Sequence, residues 1–280
     1  MAFLVHIHIV GLNRSLSTTE ASIVSRVIKP LSRTRGVRVQ TNIVLIRPKG
    51  AISNPLSGES GFVETQVPES LDTWPLTYLE QKDLAARAKA PAQRLLELGD
   101  VYGDGGKSIE FALIYMSALA HSARMMNETP DVAIVLRPDV QIAGRLWIRW
   151  RVLSLAIKAR AQRPEIQAPA WGSFGGVNDR FAVMSGQLTE RYLRREESVD
   201  SWISQGGPFD PEKFLAFSLE GSRIKRCIYA PMFRIRIGGR LEKADLSFFE
   251  TPAAIARLRD FLLKLAQTLR SAFSRTRRVR

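Results

Sequence analysis

Short apolar runs separated by segments of helical period leave this chain little to fold into except a sheet covered by helices. Val5 to Val10 and Val37 to Ile46 read as strands, and the unbroken apolar run Val132 to Leu136 as a buried strand. Between them Ser17 to Leu31 places Ile23, Val27 and Leu31 on one face, and Ser17 with Glu20 has the spacing of a capping box. Leu79 to Leu98 reads as a helix interrupted at Pro91. Ser108 to Met126 reads as a second helix, with Ile109, Leu113, Met116 and Ala120 inward, and Trp147 to Ala161 as a third. Asp210 and Pro211 have the form of a cap and first turn for a helix to Leu219, and Ile224 to Tyr229 and Phe233 to Ile237 close the series as strands. Pro48 to Pro68 has no period and is long for a loop, which points to function or mobility. The expected architecture is α/β: one domain over residues 1–250 with a mixed central sheet flanked by helices, Rossmann-like, followed by residues 251–280.

The charge is unevenly placed. The whole chain carries a net +14, and from Thr251 onward eight Lys and Arg residues face Asp260 alone. Leu258, Phe261, Leu262, Leu265, Leu269 and Phe273 recur there at helical spacing, so 251–280 is expected to form a basic amphipathic helix and tail. Such a helix suits an anionic membrane surface, or equally packs on a core with a solvated end. A single cysteine, Cys227, excludes a disulfide framework and a Cys-rich zinc site, fits a reducing compartment, and reads as a small apolar core residue. Phe3 to Leu12 holds His6 and His8 and lacks a basic leader, so it reads as a first strand rather than a signal, and no stretch is long and apolar enough to span a bilayer. The three histidines form no spaced triad or metal cluster. A pI near 10.5 fits nucleic-acid or nucleotide binding on charge alone, but no helix-turn-helix, RNP pattern or zinc module accompanies it, and no nucleic-acid partner is expected.

Three strand-to-loop junctions carry candidate chemistry. Gly11-Leu12-Asn13-Arg14-Ser15 precedes a helix and combines close backbone approach, free N–H groups and a bidentate cation, the parts of a phosphate-binding turn. In Arg137-Pro138-Asp139, Pro138 keeps Arg137 extended and carries Asp139 past the strand end. That carboxylate is suited to a cation on a diphosphate or to sugar hydroxyls. The third, Trp171 to Asp179, runs through two glycines into Arg180 and Phe181 to Met184; Trp171 and Phe174 offer an aromatic wall, and Asp179 a carboxylate base for a hydroxyl. Gly105-Gly106-Lys107-Ser108 matches the second half of a P-loop, but Val101 stands where its first glycine belongs and no strand precedes it. Asp100 and Asp104 beside it read as turn residues.

The N-terminal HIVGLNRSLSTTEASIVSRVIKPL, the helix IYMSALAHSARMM before DVAIVLRPDV, and GGVNDRFAVMSG ahead of Arg191 and Tyr192 occur in an order that resembles bacterial GT-A-like glycosyltransferases, distantly similar to WavE-type lipopolysaccharide-synthesis proteins. The resemblance covers most of the chain to about Arg240. It implies a GT-A-like fold and transfer of a sugar from a nucleotide-sugar donor to a polysaccharide or lipid-linked glycan acceptor; together with the basic segment 251–280 it points to the cytoplasmic membrane face, with that segment against the membrane surface. The donor would be bound by Gly11, Arg14, Ser15, Arg137 and Asp139, and the acceptor by Trp171, Asn178 and Arg180. Asp179 and Asp139 are the catalytic candidates. A divalent cation, Mn or Mg, is implied with Asp139 as its ligand, but no Asp-x-Asp is present. The open alternative is a metal-free enzyme in which Arg14, Arg137 or Lys107 neutralises the departing diphosphate.

Overall fold

The computed structural model describes residues 2–54, 58–71, 73–228, 230–242 and 245. The chain divides into two units, Met1–Leu241 and Glu242–Arg280. The basic helix expected at 251–280 lies outside the described residues.

The first unit is built on β1 (Phe3–Leu12), α1 (Leu16–Ile23), α2 (Lys29–Ser32), β2 (Val37–Arg47), β3 (Ile52–Asn54), β4 (Glu59–Gly61), β5 (Leu76–Glu80), α3 (Gln81–Glu97), α4 (Lys107–Arg124) and β6 (Val132–Leu136). After these come β7 (Val140–Ile142), α5 (Ile148–Arg160), β8 (Glu165–Pro169), β9 (Phe181–Ser185), α6 (Thr189–Leu193), α7 (Val199–Gln205), α8 (Pro211–Ser218), β10 (Arg223–Ile228) and β11 (Met232–Arg234). Seven strands form one mixed sheet in the order β10-β8-β9-β6-β1-β2-β5, flanked by helices on both faces. Within it β9 alone runs antiparallel to its neighbours β6 and β8. From β1 the chain moves outward to β2 and β5, then returns to β6 on the other side of β1. The strand order therefore reverses between β1 and β6, and open α/β sheets bind ligands outside the carboxyl ends of the strands at such a reversal.

Alternation along the central strands builds two cores. Val5, Ile7 and Ile9 of β1 join Val132, Ile134 and Leu136 of β6 under α1, α2 and α5, while Val10, Ala133 and Val135 face α3, α4 and α6 to α8. Each large aliphatic chain buried this way contributes roughly 1.5–3 kcal/mol. His6 and His8 share the second face. His8 Nδ1 lies 2.7 Å from the Ser122 hydroxyl on α4, both fully buried, and desolvation pushes the His8 pKa down to about 3, so the imidazole is neutral. Both histidines are buried, and among the described residues neither belongs to a metal-binding set.

Several expectations change. The residues read as the start of a helix at Leu79 belong to β5, the sheet's edge strand, and α3 then runs through Pro91; the carbonyl that this proline leaves unpaired belongs to the exposed Arg87, where water can bind it. The capping box does not close: Ser17 bonds Glu64 and Glu20 accepts from Ser70. Instead Asn13 Oδ1 accepts from the Leu16 N–H at 3.3 Å. A π-helical turn, Val24–Ile28, joins α1 to α2 just before Pro30. The aperiodic Pro48 to Pro68 stretch holds the hairpin β3–β4. Strand β8 was unread because Glu165 and Gln167 break its apolar run, although both are buried: Glu165 pairs with Lys158 at 2.8 Å and accepts from Gln167. Cys227 is half-buried beside Arg151 Nη1 (3.3 Å) rather than in the core.

The P-loop alternative meets a local obstacle. The Asp100 carboxylate accepts from the backbone N–H groups of Tyr102, Gly103, Gly105 and Gly106 at 2.8–3.2 Å, so the loop's own side chain occupies the cradle a phosphate would need. Lys107 stands exposed at the start of α4 behind it.

Candidate functional site

The carboxyl ends of β1 and β6 are edged by charge. Gly11, at φ +144°, lets the β1 end pass close to Pro138; a Cβ there would stand 3.1 Å from Pro138 Cδ. That proximity brings the two junctions together. Arg14 Nη1 donates to Asp139 Oδ2 at 3.1 Å, and Arg137 grips the same carboxylate with Nε to Oδ1 at 3.0 Å and Nη2 to Oδ2 at 2.8 Å. Asp139 is 1% exposed. Burial alone would raise its pKa, but the Arg137 and Arg14 charges hold the carboxyl far below the usual range, while the Arg137 guanidinium is raised by the same pairing against its own desolvation.

A second carboxylate continues the network. Glu59, on β4, lies 3.4 Å from Arg14 Nε and 3.4 Å from Arg236 Nη1, and accepts from the Ile237 N–H at 3.0 Å. Arg14, Arg137 and Arg236 thus share the buried carboxylates of Asp139 and Glu59. Desolvation pulls the Arg14 pKa down, as expected for a cation buried beside other arginines. Neither Glu59 nor Arg236 was legible in advance, because the loop carrying one and the segment carrying the other are distant in sequence and without period. Ser15 faces away from this charge: its hydroxyl donates to the Ile235 carbonyl at 2.8 Å.

The residues present were tested for a divalent cation. Such an ion needs several oxygen ligands with free lone pairs. Both Asp139 oxygens are taken by guanidinium groups, and among the described residues no three His, Cys, Asp or Glu side chains converge as a metal-binding set. The donor set does not fit the ion.

The third junction adjoins the second. The Arg137 N–H donates to the Arg180 carbonyl at 3.3 Å as β6 and β9 part. Asn178 fixes the loop from within, donating to the Trp171 carbonyl (2.8 Å) and accepting from the Arg180 N–H (2.9 Å), while the Arg180 guanidinium lies 5.4 Å from the Trp171 ring centroid. Asp179, between them, is half-buried, and its charge raises the pKa values of Arg137, Tyr115 and Glu212. The loop is pinned to the first turn of α8: Val177 N–H donates to the Glu212 carbonyl at 2.9 Å, and a Cβ on Gly176 would fall 2.0 Å from that carbonyl group. Only glycine fits there.

Glu212 and Arg195 are site residues that sequence reasoning missed. Desolvation, then the Asp179 and Asp210 charges, push the Glu212 pKa up to about 7, so at neutral pH it exchanges a proton readily. Arg195, 4% exposed, stacks its guanidinium 5.5 Å from the Tyr115 ring and 4.9 Å from the Tyr192 ring, with Nη1 buried and lacking a hydrogen-bond partner. Arg137 lies 5.9 Å from the same Tyr115 ring. The only advance signal was a glutamate following an Asp-Pro cap, which is ordinary in a helix first turn.

No protein-family profile and no curated protein matches the chain. Among solved structures it aligns with mouse xyloside xylosyltransferase 1 in its apo form, at TM-score 0.39 and 9% identity, over 81% of this chain and 84% of that one. It aligns with the apo form of the glycosyltransferase GlyE from Streptococcus pneumoniae TIGR4 at TM-score 0.37 and 10% identity, over 80% of this chain but 45% of that one. It also aligns with the galactosyltransferase LgtC in complex with donor and acceptor sugar analogues, at TM-score 0.41 and 8% identity, over 79% of this chain and 72% of that one.

Proposed function

We propose that the chain is a GT-A-like glycosyltransferase that moves a sugar from a nucleotide-sugar donor to a glycan or lipid-linked acceptor in cell-surface glycan synthesis. The observation that carries this reading is the cluster of arginines and carboxylates at the point where the strand order reverses. A diphosphate accepts bidentate hydrogen bonds from guanidinium forks of this kind. Beside the cluster, at the carboxyl ends of β1 and β2, Asn13, Arg47, Phe62 and Tyr78 line a groove whose aromatic walls suit a nucleobase.

In this reading the diphosphate is held by arginine rather than by a cation. Asp139 is a positioning residue: it locks Arg137 and Arg14 in register so that their charge is already organised where negative charge develops on the departing group. Asp179 is the base toward the acceptor hydroxyl. Glu212, next to it, competes for the proton, and the Trp171–Arg180 stack forms the acceptor wall.

A thermal-shift panel of nucleotide-sugars, run in EDTA and then with Mn²⁺ or Mg²⁺, tests this. A ligand at a hundred times its Kd stabilises by ~2.7 kcal/mol, which should appear as a rise of several degrees already in EDTA. Arg137→Ala should abolish the shift, Asp139→Asn should weaken it and destabilise the apo protein by ~3 kcal/mol, and Asp179→Asn should retain it while losing transfer. Absence of any shift with every nucleotide defeats the donor reading. A shift that needs the metal defeats the arginine reading alone.

A further inference from the structure

Helix α5 is apolar on two sides. Ile148, Val152, Leu155, Ala156 and Ala159 are buried against the sheet, as an amphipathic helix requires. Its other side should then be polar, yet Trp150 is 69% exposed, Ile157 63%, and Trp147, at the helix start, 52%. Positions 147, 150 and 157 fall on one face by helical spacing, and Trp147 and Trp150 line a surface groove together with Arg26 and Pro30 at the α1–α2 junction and Arg145. Exposed tryptophans in pairs are uncommon on a soluble surface and call for a partner.

The surrounding charge says which. Arg26, Lys29, Arg33, Arg145 and Arg149 are exposed on or next to these helices. From residue 21 to residue 58, and again from 140 to 164, the chain contains no Asp or Glu. A face that joins protruding Trp and Ile to an unbroken field of cations is complementary to an anionic lipid surface: the indoles enter the headgroup boundary, where an apolar body with a polar N–H is stable, and the arginines meet lipid phosphates. Among the described residues no helix is long and apolar enough to cross a membrane, so the contact would be with the surface only.

We infer that the α5 face carrying Trp147, Trp150 and Ile157, with Arg26 and Arg145 at its edge, is an anionic-membrane docking surface. It shares no residue with the arginine cluster at the carboxyl ends of β1 and β6 and does not rest on the glycosyltransferase reading.

The full chain is mixed with phosphatidylcholine vesicles with and without 30 mol% phosphatidylglycerol as the probe, and binding is followed by co-sedimentation and by quenching of tryptophan emission with brominated lipid. Binding to the anionic vesicles only, falling with salt, is expected, with the emission quenched. Trp147→Asn with Trp150→Ser should lower affinity about tenfold or more through lost apolar burial, with far-UV CD and Tm unchanged; asparagine suits the left-handed backbone at 147. Arg26→Ser with Arg145→Ser, which keeps both indoles, should flatten the salt dependence. Vesicle binding at wild-type strength in both variants would move the membrane contact elsewhere and overturn the proposal, as would failure to bind any vesicle. Tryptophan-dependent binding of single-stranded DNA in place of vesicles, or a tryptophan-dependent self-association seen by sedimentation, would assign the surface to those partners and overturn it equally.

Discussion

Two desolvated titratable side chains, His8 fully buried and Glu212 half-buried, pull stability in opposite directions with pH. His8 is depressed from 6.5 to about 3, so the unfolded chain takes up its proton first; the stability it permits is complete above pH 6.5 and is lost progressively as pH falls toward 3, about 2 kcal/mol by pH 5. Glu212 is raised from 4.5 to about 7, so the folded chain holds its proton more tightly. Its contribution is complete below pH 4.5 and is lost as pH rises through 7, about 1–2 kcal/mol after allowance for its partial exposure. Between 4.5 and 6.5 the two oppose, and a wild-type profile there should be nearly flat. Urea unfolding of variants at several pH values separates them. His8→Leu with Ser122→Ala, which removes both ends of the buried hydrogen bond, should expose a stability that rises as pH falls from 7, whereas Glu212→Gln should stabilise the protein at pH 7.5 and leave the acid loss intact. A wild-type slope in both variants would mean that neither group is desolvated as the geometry requires.

At the scale of elements, the contact between the Gly175–Gly176 turn and α8 sets Asp179 in place. Gly176→Ala must drive its Cβ into the Glu212 carbonyl, so loop and helix separate; a loss of ~1–3 kcal/mol or more is expected by denaturant titration, together with loss of the ordered Asn178 turn in NMR spectra. An unperturbed fold would show that the close approach is not obligatory. The same element explains what the sequence could and could not reveal. Apolar runs in β1, β2, β6 and β9 and the helical period of α4 are local signals, and each element formed where it was expected. Arg14, Arg137 and Asp139 were legible as strand-edge residues because Gly11 and Pro138 punctuate the chain beside them. Strands β5 and β8 were not, since an edge strand need not be apolar and a buried ion pair replaces the apolar signal in β8. The pairing of Arg14 with Arg137 around one carboxylate and the recruitment of Glu59, Arg236 and Glu212 depend on contacts over 100 residues or more, or on loops without period. Composition and spacing carry no trace of them.

At the scale of the whole molecule, a net charge of +14 makes the apo protein self-repelling. Raising NaCl from 0.05 to 0.5 M shortens the screening length from over 10 Å to a few Å, so Tm of the ligand-free chain should rise; a fall would mean that favourable ion pairs outweigh the repulsion. The reversed direction of β9 has a different implication. Because β8 ends and β9 begins at the same edge of the sheet, residues 170–180 form a closed loop between two paired strands, with no helix crossing in its path. Outside the Gly176–Asn178 turn that α8 pins, such a loop can lengthen, shorten or change its aromatic residues while every strand register is kept. The arginine cluster enjoys no such freedom, being knitted from β1, β4, β6 and the chain after β11. One sheet edge therefore joins a fixed half to an exchangeable half, and divergence among relatives of this chain should concentrate in the latter.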